Sequence, residues 1–144
     1  MYQCGVASNK HEVSRTIKLR AAAARTRGDV VRISTGHSDG VCADVSLADN
    51  TNVYRVAVAA ENVASGDIYE AFVEGSCAVT VPSATYTAGD GLDILDGAVR
   101  DSATAAEART GQTTLNDFAV IAIGGTTVTS VTATLFGDPI TAQT

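Results

Sequence analysis

From residue 28 onward the chain runs in steps of two. Short stretches rich in Val, Ile, Thr and Tyr alternate with polar residues and are cut by Gly and Asp. A period of two places each set on one face of a strand, whereas a helix would need a repeat near 3.6. Such stretches fall at residues 30–34, 41–45, 53–59, 68–74 and 77–81. In 53–59, Tyr54, Val56 and Val58 share a face and Arg55 takes the other. Cys77, Val79 and Val81 alternate with Ser76, Ala78 and Thr80. The second half adds hairpin signals. Asp96-Gly97 separates residues 91–95 from 98–100, and Asp-Gly suits a two-residue turn because both positions tolerate positive φ. Gly124-Gly125 separates 118–123 from a Thr-rich stretch at 126–136 that reads as a half-exposed strand. Residues 35–40, Thr-Gly-His-Ser-Asp-Gly, read as a hairpin loop. Many short strands at regular spacing predict a mainly β fold, a small antiparallel β-barrel or β-sandwich, over residues 28–144.

The first 27 residues differ in charge. Lys10, Arg15, Lys18, Arg20, Arg25 and Arg27 stand against Glu12 alone, although the whole chain carries −6. A basic segment on an acidic body predicts an extended N-terminal arm, residues 1–27, that meets an acidic surface. Val13, Arg15, Ile17 and Leu19 would share one face of an extended strand, and Ser14, Thr16, Lys18 and Arg20 the other. The candidate contact residues are therefore Arg15, Ile17, Lys18, Leu19, Arg20, Arg25 and Arg27; the competing reading makes 13–20 the first strand of the domain's own sheet. Two alanine-rich stretches, 19–25 and 103–108, are too short for stable isolated helices and read as a helical turn or a loop.

Other features exclude function classes. No apolar run approaches the roughly 18 residues of a membrane-spanning helix. No secretory leader is legible before or after Lys10. The acidic balance argues against nucleic acid as a partner. Cys4, Cys42 and Cys77 are odd in number and lack metal-like spacing, which predicts free thiols in a reducing cytoplasm. Asp90, Asp93, Asp96 and Asp101 lack the alternation and closing Glu of a calcium loop, so they read as turn chemistry. No Gly-x-Ser-x-Gly elbow, phosphate-binding Gly-Lys-Thr loop or dinucleotide fingerprint occurs, and His37 reads as a surface-loop residue. The expectation is a non-enzymatic protein without metal or cofactor.

One ordered series of motifs narrows this. It runs Gly28-Asp29-Val30-Val31, then residues 54–60 with Glu61 and Ser65-Gly66-Asp67, then Phe72-Val73-Glu74-Gly75. Thr87-Ala88-Gly89-Asp90-Gly91-Leu92, Asp96-Gly97-Ala98-Val99 and Phe118-Ala119-Val120-Ile121-Ala122 follow. Over about residues 28–136 this order resembles the small capsid decoration, or cement, proteins of tailed bacteriophages. The resemblance implies a virion protein on the outer capsid surface, made in the bacterial host cytoplasm, that cements neighbouring major capsid proteins. It implies self-association as well, most simply as a homotrimer, which would give a small domain avidity. The alternative is a fibre- or tail-associated β module that binds host-surface carbohydrate; the sequence offers few aromatics for stacking on sugars.

Overall fold

A computed structural model describes residues 14–47, 53–95, 97–102 and 117–136. Residues 1–13 of the expected arm, with Cys4 and His11, lie outside the described residues, as do the alanine-rich stretch 103–108 and Asp96. Nine strands are found among the described residues: β1 (Arg15–Arg20), β2 (Val30–Ser38), β3 (Val41–Val45), β4 (Val53–Ala59), β5 (Ile68–Tyr86), β6 (Gly91–Leu95), β7 (Ala98–Asp101), β8 (Ala119–Ile123) and β9 (Gly125–Leu135). The mainly β expectation holds.

Neighbouring strands follow the order β1-β3-β2-β4-β5-β9-β8-β6-β7, and β1 also pairs with β5. That extra pairing closes β1, β3, β2, β4 and the first half of β5 into a five-stranded barrel. The second half of β5 continues into an antiparallel sheet with β9, β8, β6 and β7. The barrel is mixed, because β1 runs parallel to β3.

Barrel diameter grows with strand number, so five strands leave a narrow interior. The inward residues match. Ala21, Ala57, Ala59 and Ala71 make room for the buried Leu19, Val31, Val73 and Tyr69. A second core is larger and holds Val79, Leu92, Ile94, Phe118, Ile121 and Leu135. Val56 and Val58 belong to that second core although they lie on barrel strand β4. Strand β4 is thus covered on both faces, which explains why Val56-Ala57-Val58-Ala59 is apolar without interruption.

Strand β5 is one strand where the sequence suggested two. Its inward residues Tyr69, Ala71 and Val73 serve the barrel, whereas Cys77, Val79 and Val81 serve the second core. Between them Gly75 sits at φ 94°, a conformation that a residue with a Cβ resists. Another glycine knits the two halves together. Gly28 donates to the Ala59 carbonyl at 2.8 Å and accepts from the Thr80 amide at 2.9 Å. It has φ 99°, and a Cβ there would lie 2.6 Å from Thr80 Oγ1.

Residues 35–38 belong to β2, so only Asp39-Gly40 remains as the turn, with φ 55° and 77°. Residues 21–25 are a loop and not a helical turn. Three of their amides are taken by tertiary partners: Ala21 donates to the Asp67 carbonyl, Ala22 to the Asp44 carboxylate, and Arg25 to the Val63 carbonyl.

The main correction concerns the arm. Residues 15–20 are not an extended arm but a barrel strand, paired along their length with Glu74 to Ile68 of β5. The alternation read from the sequence holds from Thr16 to Arg20, whereas a register shift between Arg15 and Thr16 sets Arg15 outside, opposite Glu74, and the surface that receives Leu19 is the chain's own interior. The boundary at residue 27 therefore falls inside the barrel. A chain beginning at Gly28 lacks β1, Leu19 and Arg25. It is expected to give no cooperative thermal transition by circular dichroism. A cooperative melt close to that of the full chain would contradict this assignment.

Candidate functional site

Arg15, Lys18, Arg20 and Arg25 do meet carboxylates, and these belong to the same chain. On the outer face of the barrel, Arg15 Nε lies 3.4 Å from Glu74, and Lys18 Nζ lies 3.5 Å from Glu70. A hydrogen bond from Thr16, joined by the charge of Lys18, holds the Glu70 carboxyl below the usual carboxylate range. Arg20 donates to the Gly66 carbonyl at 3.0 Å and stands 4.0 Å from Asp39. These pairs face water, which screens them, so each contributes little to stability. Arg27 is exposed, and its main-chain amide donates to Asn62 at 2.8 Å. Ile17 is half-buried against the barrel core. Leu19 is fully buried and offers no side chain to a partner.

Arg25 departs most from the expectation. It donates through Nε to Asp44 Oδ2 at 3.0 Å and through Nη2 to Oδ1 at 2.8 Å, a fork on a fully buried carboxylate. Tyr69 donates its hydroxyl to Oδ2 at 2.5 Å, and the Ala22 amide donates to Oδ1 at 2.9 Å. Burial pushes the Asp44 carboxyl up, but the bonds from Arg25, Tyr69 and Ala22 outweigh it and hold the group below its ordinary value. The bond to Asp44 in turn raises Arg25. Burial, followed by the bond to Asp44, raises the Tyr69 hydroxyl. The sequence reading missed Asp44 and Tyr69. The available signal was a carboxylate inside the otherwise apolar run Val41-Cys42-Ala43-Asp44-Val45, since a buried charge needs partners.

Among the described carboxylates of the second half, Asp90 and Asp101 are neighbours, whereas Asp93 lies in the strand interior. Asp93 is buried on β6, and its register partner on β7 is Arg100. Asp101 accepts from the Thr87 amide at 3.2 Å. A hydrogen bond between the carboxyls of Asp90 and Asp101 raises Asp90 above its usual range. Among the described residues no three His, Cys, Asp or Glu side chains gather as a metal-ligand set. Cys42 and Cys77 are free thiols; burial pushes Cys77 up to about 11, which keeps it protonated and unreactive at neutral pH. A cleft of about 310 Å³ lies where barrel and second sheet meet, bordered by Arg25, Asp29, Thr80 and Val99. No described helix is long and apolar enough to cross a membrane.

The fold is similar to that of the N base of head fibre gp8.5 of bacteriophage phi29, known from a crystal structure. The TM-score is 0.54 at 17% identity, and the match covers 88% of this chain and 98% of that one. At that identity the likeness is one of fold. No protein-family model matches the sequence, and no curated protein matches it.

The geometry separates two kinds of residue within the expected contact set. Leu19→Ala is expected to cost about 2–5 kcal/mol, as large-to-small changes in a core do. Lys18→Ala and Arg15→Ala are expected to leave the melting temperature nearly unchanged. Thermal denaturation of the three variants checks this. Equal loss in all three would mean that the ion pairs, and not the apolar face, hold β1 in place.

Proposed function

We propose that the chain is a non-enzymatic structural protein of a tailed-phage virion, seated on the outer surface of the head. The observation that carries this reading is the fold match, which takes in nearly the whole base domain of a phage head fibre. The ordered motifs between Gly28 and Ala122 support the same placement independently. The geometry is compatible with it: the described residues hold no metal-ligand set, and the buried polar groups Asp44, Arg25 and Tyr69 satisfy one another rather than point at a substrate.

Two arrangements fit a head-surface protein. In the cement reading, copies of the chain bridge neighbouring major capsid proteins and associate with one another, as a trimer in the simplest case. In the fibre reading, the domain is a base that anchors an appendage, and the likeness to the phi29 head fibre base supports it equally. Strands β8 and β9 contain no charged residue, and Ala122, Ile123, Thr129 and Ser130 on them are exposed. They would present an uncharged face to a capsid or to another copy. Carbohydrate binding is the weaker part of the fibre reading, because exposed aromatics are few: Phe136 is the one large aromatic exposed among the described side chains.

Purified virions test the proposal. Mass spectrometry is expected to find the chain as a stoichiometric component, and cryo-electron microscopy to find its density on the head exterior. Heads depleted of the chain distinguish the two arrangements. Loss of shell stability on heating marks a cement, whereas loss of a projecting appendage with an equally stable shell marks a fibre base. Absence from the particle, or density at the tail tip alone, would overturn the head-surface reading.

A further inference from the structure

The barrel closes on an unequal pair of seams. On one side β1 pairs with β5 through six register partners, Arg15 to Arg20. On the other side it meets β3 through one, Arg20 with Ala43. The residue after Ala43 is Asp44. Its carboxylate receives the amide of Ala22 and the guanidinium of Arg25, both on the segment that leaves β1, together with the hydroxyl of Tyr69 from β5. Arg25 is fixed further by two main-chain bonds with Val63, each 2.9 Å. A side chain thus continues the closing ladder where the backbone of β3 does not.

We propose that Asp44 is an acid-released latch on the β1–β3 seam: with the carboxylate ionised the barrel is closed, and with a proton on it this seam opens while β1 stays paired with β5. The proton occupies one of the two oxygens and turns that acceptor into a donor. The Tyr69 hydroxyl can turn to accept that proton, but the Ala22 amide and the Arg25 guanidinium only donate. A proton on Oδ1 therefore displaces one of them, and one on Oδ2 displaces Arg25 Nε. In either case Arg25 keeps a positive charge with no anion across the seam. The groups facing Asp44 account for the sensitivity. Arg25 and Ala22 come from the β1–β2 link and Tyr69 from β5. Asp29, whose carboxylate accepts from the Thr26 amide at 2.8 Å, adds negative charge near Arg25. Arg20 stands at the seam but points to Gly66 and Asp39. The sign follows from the closed form holding Asp44 below its ordinary value. The latch contributes fully above the open-form value of about 4 and is lost as pH falls through the lower, closed-form value.

Amide hydrogen exchange of the full chain, read residue by residue by NMR at pH 7 and pH 3 and expressed as protection factors, tests the latch. The Ala22 amide, which Asp44 holds, is expected to lose several-fold in protection at pH 3, up to the roughly ten-fold that release of one proton site allows. Its neighbour Ala21, bonded to the Asp67 carbonyl, and Ala59, bonded to the Asp29 carbonyl, keep theirs. Equal loss at all three would mean global acid unfolding, and no loss at Ala22 would mean no latch; either result overturns the proposal. Because Asp44→Asn removes the buried carboxylate outright and can prevent folding, Tyr69→Phe serves as the second variant. It deletes one donor to the carboxylate and is expected to move the Ala22 opening to higher pH. An unchanged opening pH in that variant also overturns the proposal.

Discussion

One strand has to serve two cores. The first half of β5 completes the barrel against β1 and β4, and its second half is the first strand of the sheet that β9, β8, β6 and β7 extend. A continuous strand can do this only if its buried face is handed from one core to the other. The handover occurs at Gly75, between Val73 and Cys77. Most other features follow. The barrel interior is small and takes alanine. The second core is larger and takes Leu, Ile and Phe. Strand β4 lies between them and is apolar on both sides, and Gly28 ties the link before β2 to both β4 and β5.

The closure of the barrel changes the meaning of the basic N-terminal segment. Arg15, Lys18, Arg20 and Arg25 are answered by Glu74, Glu70, Asp39 and Asp44, all within the chain. Three of these pairs face water and contribute little, while the fourth is buried and shared by three elements. The energetic difference is large, because removing one partner of a buried pair strands an uncompensated charge at a cost of about 3–5 kcal/mol. Of the residues expected to grip a partner, Leu19 and Arg25 are therefore committed to the fold. Arg15, Lys18, Arg20 and Arg27 remain at the surface with side chains or backbone engaged by their own chain.

Strand positions were legible because alternation is a local property. Runs such as Val53–Ala59 and Gly91–Leu95 needed no tertiary information, and the late Thr-rich stretch is a half-exposed strand as its composition suggested. Three things were not local. Whether two apolar runs flanking Gly75 are one strand depends on the backbone turning there without reversing, which the Glu-Gly-Ser sequence does not reveal. Which surface receives Ile17 and Leu19 depends on closure of the barrel, a pairing across some fifty residues. The role of Asp44 depends on three donors brought from positions 22, 25 and 69, and no spacing rule connects them. Of the two readings open for the alanines at 21–24, a helical turn or a loop, the loop is the one found; Ala21 is buried in the barrel core, and Ala22 gives its amide to a carboxylate.

Barrel and second sheet share β5, and Val56 and Val58 of the barrel lie in the second core, which couples the two into one folding unit. Urea unfolding followed residue by residue by NMR tests it most directly. Signals from Val31 and Ala57 report the barrel, and those from Ile121 and Ala133 report the second sheet. One transition with a common midpoint and slope is expected for all four. Two transitions with separated midpoints would contradict it.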